Sequence, residues 1–163
     1  MKRILAVLWL IVLAGCFTAP VPPYKTKYER TGRGHLCDLY VRLDDKWAKF
    51  YEDIGGSYNL IQSPNGMYLV VTHPRGSLVT TIKVFLVESR ELLDITNWIH
   101  GRLPSLAPDS VYFTAHRFLN ERDVELTFKD LHRWTEEKPI VKALENARVI
   151  INLDEAVEET RYR

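Results

Sequence analysis

A chain of 163 residues with 22 Lys and Arg against 21 Asp and Glu, 46% hydrophobic and 26% charged, has material for one hydrophobic core once a leader is set aside, and not for two. That composition is too apolar for a disordered chain and too evenly charged for a bundle of membrane helices. Its near-neutral balance argues against a nucleic-acid binder, and two cysteines, Cys16 and Cys37, cannot form a disulfide framework.

The chain opens with Lys2 and Arg3, followed by an uninterrupted apolar run from Ile4 to Ala14 that ends in the small pair Ala14 and Gly15 ahead of Cys16. A spanning helix takes about 20 apolar residues, and this run stays short of that before Pro20, so it reads as an export signal. Leu13-Ala14-Gly15-Cys16 resembles the lipobox of bacterial lipoproteins in its residues, its distance from the charged start and its cysteine. The resemblance implies a cut before Cys16, a diacylglyceryl group on its sulfur, a signal peptide over 1–15, and a mature chain whose charge is +1 minus 2, or −1. Each buried methylene contributes about 0.8 kcal/mol, so two or three fatty chains hold a protein durably to its bilayer. Phe17, not Asp, follows the cysteine; in Gram-negative lipoproteins an Asp there resembles the inner-membrane retention signal. The expected place is therefore the cell envelope, at the outer membrane facing the periplasm if the cell is Gram-negative.

Residues 16–34 read as a lipidated tether, stiffened by Pro20, Pro22 and Pro23 and loosened by Gly32 and Gly34, that lifts the domain by roughly 50 Å at most. Lys25, Lys27, Arg30 and Arg33 against Glu29 make it locally basic, as a solvated linker or as an attraction for anionic head groups. A single domain is expected over 35–163. Leu36 to Leu43 alternates as a strand. Trp47, Phe50, Tyr51 and Ile54 then fall at helical spacing, with Asp44 or Asp45 to cap the start and Gly55-Gly56 to stop it. Tyr58 to Gln62 and Met67 to Thr72 predict a hairpin about Ser63-Pro64-Asn65-Gly66, and β-branched Leu78 to Val87 a central strand.

Leu92, Ile95, Ile99 and Leu103 predict the longest helix, opening at Ser89 and ending at Pro104. Val111 to Leu119 and Val124 to Leu131 form a second hairpin about Asn120 to Asp123. Pro139 to Asn146 suits a short helix, Arg148 to Leu153 a last strand, and Asp154 to Glu159 a frayed or solvated end. The order β-α-β-β-β-α-β-β-α-β, with hairpin connections, predicts an α+β fold: a mainly antiparallel sheet with two or three helices packed on one face.

Catalytic signatures are missing. None of His35, His73, His100, His116 and His132 has a second ligand at metal spacing, and neither a nucleophile motif nor a phosphate loop occurs. No catalytic, cofactor-binding or metal residue can be assigned. His35-x-Cys37-Asp38 is the nearest approach to a thiol with a base, although a lone cysteine among Leu36, Leu39 and Tyr40 reads as a small buried hydrophobe. Adjacent carboxylates at Asp44-Asp45, Glu52-Asp53 and Glu136-Glu137 fit capping or solvent exposure. Tyr24, Tyr28, Tyr40, Trp47 and Tyr51 could build a stacking surface, but Trp47, Phe50 and Trp98 sit on apolar faces and read as core; Trp134 is the better exposed contact residue.

Two functions follow. The preferred one is a membrane-anchored, non-enzymatic accessory module, held to the bilayer through acylated Cys16 and binding another envelope protein. The alternative is an envelope enzyme or ligand-binding lipoprotein whose site is assembled from dispersed residues, such as His73, Arg75, His116 and Arg117, for a cell-wall or anionic substrate.

Overall fold

The computed structural model describes residues 23–32, 34–55, 58–75, 79–102, 113–128 and 148–162. The leader, Cys16, Trp134 and the helix expected over Pro139 to Asn146 lie outside them. The described chain is built almost wholly of antiparallel strands in three small sheets with two short helices, which overturns the expected α+β arrangement of helices laid on one sheet. The first sheet is the meander β1 (Thr26–Arg30), β2 (Leu36–Leu43) and β3 (Lys46–Gly55). The second runs β4 (Asn59–Gln62), β5 (Tyr68–Arg75), β6 (Val79–Leu86) and β7 (Glu91–Asp94), and leads into α1 (Thr96–His100). The third joins β8 (Phe113–Phe118), β9 (Asp123–Phe128) and β10 (Arg148–Asn152), followed by α2 (Leu153–Arg161).

Both expected hairpins form. Gln62 pairs with Leu69 across a turn in which Gly66 takes φ 72°, and Phe118 pairs with Val124 across Asn120 to Arg122. Four segments depart from the reading of the sequence. Thr26–Arg30, within the segment read as a tether, is an edge strand paired with Cys37 to Val41. Lys46–Gly55 is a strand instead of a helix: Leu43 pairs with Lys46, and the intervening Asp44 and Asp45, read as caps, both take positive φ, 47° and 61°, as a two-residue hairpin turn requires. Two register irregularities in this strand break its alternation, so Phe50, Tyr51 and Ile54 are all buried at a spacing that imitates a helix. In the expected long helix, Glu91–Asp94 is instead a strand entered through a turn with Arg90 at φ 57°, and of its described residues only Thr96–His100 are helical. The acidic end, expected to be frayed or solvated, is the longer of the two described helices. Asn152 caps it by accepting from the Glu155 N–H at 3.1 Å, and it buries Leu153, Ala156 and Val157 at helical spacing.

The second sheet is the middle layer. Leu69, Val71 and Phe85 pack against Leu39, Val41, Leu43, Phe50, Tyr51 and Ile54 of the first sheet. The alternate residues Tyr68, Val70, Ile82 and Val84 pack on the opposite side against α1, the third sheet and α2. Complete burial of each such side chain contributes about 1.5–3 kcal/mol, so both interfaces are held chiefly by apolar packing. Polar contacts fix their register: Asn59 donates to the Ala115 carbonyl, and Arg102 lies over the Trp98 ring while bonding Glu155 and Glu159 of α2 at 2.8 and 2.7 Å.

Tyr68 ties the middle sheet to α2 by donating its hydroxyl to Asp154, which also pairs with Arg122 at 2.9 Å. Burial, and then the bonded carboxylate, push the phenol up to about 12. The folded state thus holds this proton more tightly than the unfolded chain, and the resulting stability is complete below pH 10 and lost as pH rises through 12. Tyr68→Phe is expected to cost about 1.5 kcal/mol at neutral pH and to flatten the decline between pH 10 and 12 relative to the parent, as urea unfolding across that range will read.

Candidate functional site

The face of the middle sheet that meets the first sheet changes character along its length. Strand alternation places Leu69, Val71 and His73 of β5, Thr81, Lys83 and Phe85 of β6, and Leu92 and Asp94 of β7 on that face. The register sets His73 opposite Thr81 and Lys83 opposite Asp94. Leu69, Val71, Phe85 and Leu92 are therefore the apolar part, and His73, Thr81, Lys83 and Asp94 form a polar patch at one end. There the two sheets enclose a cleft of about 390 Å³, whose walls also include Tyr51, Glu52, Asp53 and Gly55 of β3.

Tyr51, His73 and Thr81 are buried, at 6%, 8% and 5% exposure, so the cleft has polar groups on its floor as well as its rim. The Tyr51 hydroxyl is hydrogen-bonded to His73 Nε2, and His73 Nδ1 lies 3.3 Å from the Pro74 carbonyl. A carbonyl only accepts, so Nδ1 carries the proton and Nε2 accepts from the phenol. The Lys83 ammonium lies 4.5 Å from the centre of the Tyr51 ring, a cation–π contact, and among the described residues no carboxylate is within ion-pair distance of it. Glu52 pairs outward with Lys49 at 2.6 Å, and Asp94 accepts from the Thr96 N–H at 3.0 Å. Asp53 sits at the cleft with φ 50°, its own N–H bonded to Asp38.

Of the four dispersed residues singled out in the sequence, only His73 is placed here. His116 and Arg117 are exposed on β8 and do not line the cleft, and the Arg75 side chain lies outside the described residues. Arg117 is engaged with Glu125, at 2.8 Å, and Arg148 joins the same carboxylate at 3.1 Å. Those guanidinium groups, Arg117 first, hold the buried Glu125 carboxyl below the usual range. Cys37 is a half-buried free thiol packed against the first core; its sulfur is 3.9 Å from the His35 carbonyl, a contact with backbone and not with a base. Among the described residues no group of three His, Cys, Asp or Glu could hold a metal ion, and no helix is long and apolar enough to cross a membrane.

The aromatic surface divides. Tyr51 faces the cleft, whereas Trp47, read as core, is 42% exposed on the outer side of the first sheet. Lys27 lies over both the Trp47 and Tyr40 rings, at 4.8 and 5.0 Å. Phe50 and Trp98 are buried as expected. Lys83, Thr81 and Asp94 escaped the sequence reading. The signal was available in β6, where Lys83 interrupts the apolar run Ile82 to Leu86 of VTTIKVFL.

Compared with known proteins, the chain matches no family model, no curated protein and no solved structure.

The tautomer is directly testable. Nitrogen-detected NMR of the imidazole is expected to show His73 protonated at Nδ1 at neutral pH; protonation at Nε2 would contradict the phenol-to-imidazole bond. Tyr51→Phe is expected to shift the tautomer equilibrium towards Nε2–H.

Proposed function

We propose that this chain is a lipid-anchored module of the cell envelope that works by binding another envelope protein, not by catalysis. The anchoring half rests on the leader: the charged start, the short apolar run and the lipobox-like Leu13 to Cys16, which together call for acylation at Cys16. At the outer membrane of a Gram-negative cell the domain would face the periplasm.

The observation that carries the binding half is the outer face of the first sheet. Leu39, Val41 and Leu43 turn inward to the core, so the alternate residues of β2 face outward. Tyr40, Trp47 and Lys27 meet there, and Trp47 keeps a large apolar ring in solvent. Tryptophan and tyrosine are among the residues on which protein interfaces concentrate their binding energy. No described residue is given a catalytic role in this reading.

The test is crosslinking in the native host with mass spectrometry of the membrane-extracted protein, comparing parent, Cys16→Ser and Trp47→Ala. The expected result is a diacylglyceryl mass on Cys16, one reproducible crosslinked envelope protein, and affinity for it about 30-fold weaker in Trp47→Ala, as loss of some 2 kcal/mol implies. Unmodified Cys16 would overturn the anchoring, and a crosslink pattern indifferent to Trp47→Ala would overturn the interface.

A further inference from the structure

We propose that the cleft between the first and second sheets binds a small zwitterion of the amino-acid or dipeptide class, with its carboxylate on Lys83 and its ammonium at Asp94 on the rim. This goes beyond the membrane-anchored reading and requires neither the lipid on Cys16 nor a protein partner.

Size is the first ground. About 390 Å³ falls at the lower end of the range of small-molecule sites, ~300–1,000 Å³, and is too small for a docked protein element. Position is the second. A seam between two sheets is ordinarily closed by apolar side chains, as Leu69, Val71 and Phe85 close the other part of this one. Here the same face instead carries His73, Thr81, Lys83 and Asp94, and an unfilled, polar-lined seam is costly unless its groups are matched by a ligand or solvent.

Charge then selects the ligand. The half-buried Lys83 ammonium lies on the Tyr51 ring and, among the described residues, has no carboxylate partner, even though Asp94 is its cross-strand neighbour. An anionic group would complement it. The walls nevertheless also carry Glu52, which pairs with Lys49, and the exposed Asp94, which accepts the Thr96 N–H and is in ion-pair contact with no cation among the described residues, so the rim keeps an acid of its own. A simple anion would be opposed by the rim and a simple cation by Lys83. A molecule with both charges, a few ångströms apart, satisfies both. Thr81 on the floor offers a hydroxyl to the same carboxylate, and the Tyr51–His73 bond stiffens the wall on which Lys83 rests. A divalent metal is disfavoured, because the described residues do not gather three ligating side chains.

The experiment is an amide NMR titration of the full mature protein in detergent with alanine, alanyl-alanine, N-acetyl-alanyl-alanine and alanyl-alanine amide at fixed ionic strength. Alanine or alanyl-alanine is expected to move the resonances of His73, Thr81 and Lys83 with a dissociation constant in the millimolar range or tighter, alanine alone pointing to a single-residue ligand. Each capped form should bind at least tenfold more weakly. Lys83→Met, which keeps the packing of the stem, and Asp94→Asn, which keeps the acceptor for Thr96, should each weaken the uncapped ligand about tenfold. No movement at these residues, equal binding of either capped form, or undiminished binding by Lys83→Met would overturn the proposal. The capped ligands need no variant, so the outcome does not depend on how a substitution folds. None of these readouts involves Cys16 or Trp47, which keeps a failure here separate from a failure of the anchored-module reading.

Discussion

Adjacent residues of β5 are buried in different cores: Leu69 and Val71 against the first sheet, Tyr68 and Val70 against the helices and the third sheet. A strand with water on one side can relax its outward positions to polar residues, but the middle strands here have no such side. β5 and β6 must therefore be apolar at consecutive positions, and the first and third sheets each cover one of the two faces this creates. A one-residue slip of β5 would exchange Val70 with Val71 between cores built to different shapes, so the register is doubly specified. Both cores of the described structure are built on this layer.

The cleft follows from the same constraint. Because the middle sheet is covered on both sides, a polar group within it needs either an internal partner, as Thr80 Oγ1 has in the Phe113 N–H at 3.3 Å, or an end of an interface left unfilled. His73, Thr81, Lys83 and Asp94 occupy that end in register on three neighbouring strands. The partner wall is shaped by the irregularities in β3, which bring Tyr51 into the interface next to Phe50 and leave Asp53 in the left-handed region. Backbone strain of this kind, about 1–3 kcal/mol for a non-glycine residue, persists only where the surroundings hold it, and here it lies beside the polar cleft between the first and second sheets.

What could be read from the sequence follows the regularity of each element. The hairpins about Asn65-Gly66 and Asn120 to Asp123, the central strand ending at Val87 and the last strand all obey simple alternation or turn chemistry, and they form where expected. The misreadings arise where two periods coincide. Phe50, Tyr51 and Ile54 are spaced like a helix because bulges displaced them, and Leu92, Ile95 and Ile99 because a strand, a turn and one helical turn happen to follow one another. Asp44-Asp45 served equally as a helix cap or as a hairpin turn, and only the pairing of Leu43 with Lys46 decides between them. Those errors supplied two of the three helices of the expected α+β fold. In the cleft, His73 attracted notice by residue type alone, and it was grouped with His116 and Arg117, which the fold puts on another sheet. Its actual neighbours come from β3, β6 and β7, and such convergence is set by strand order, which local pattern does not encode.

Native-state hydrogen exchange measures most directly whether the middle sheet organises the molecule. The account predicts that the slowest-exchanging amides lie in β5 and β6, exchange only through global unfolding, and respond equally to truncations in either core, with β1 and the rim of the cleft opening at much lower free energy. Slowest exchange in the first or third sheet, or two sets of protected amides that open independently, would contradict it and would make the two cores separate units that merely share a wall.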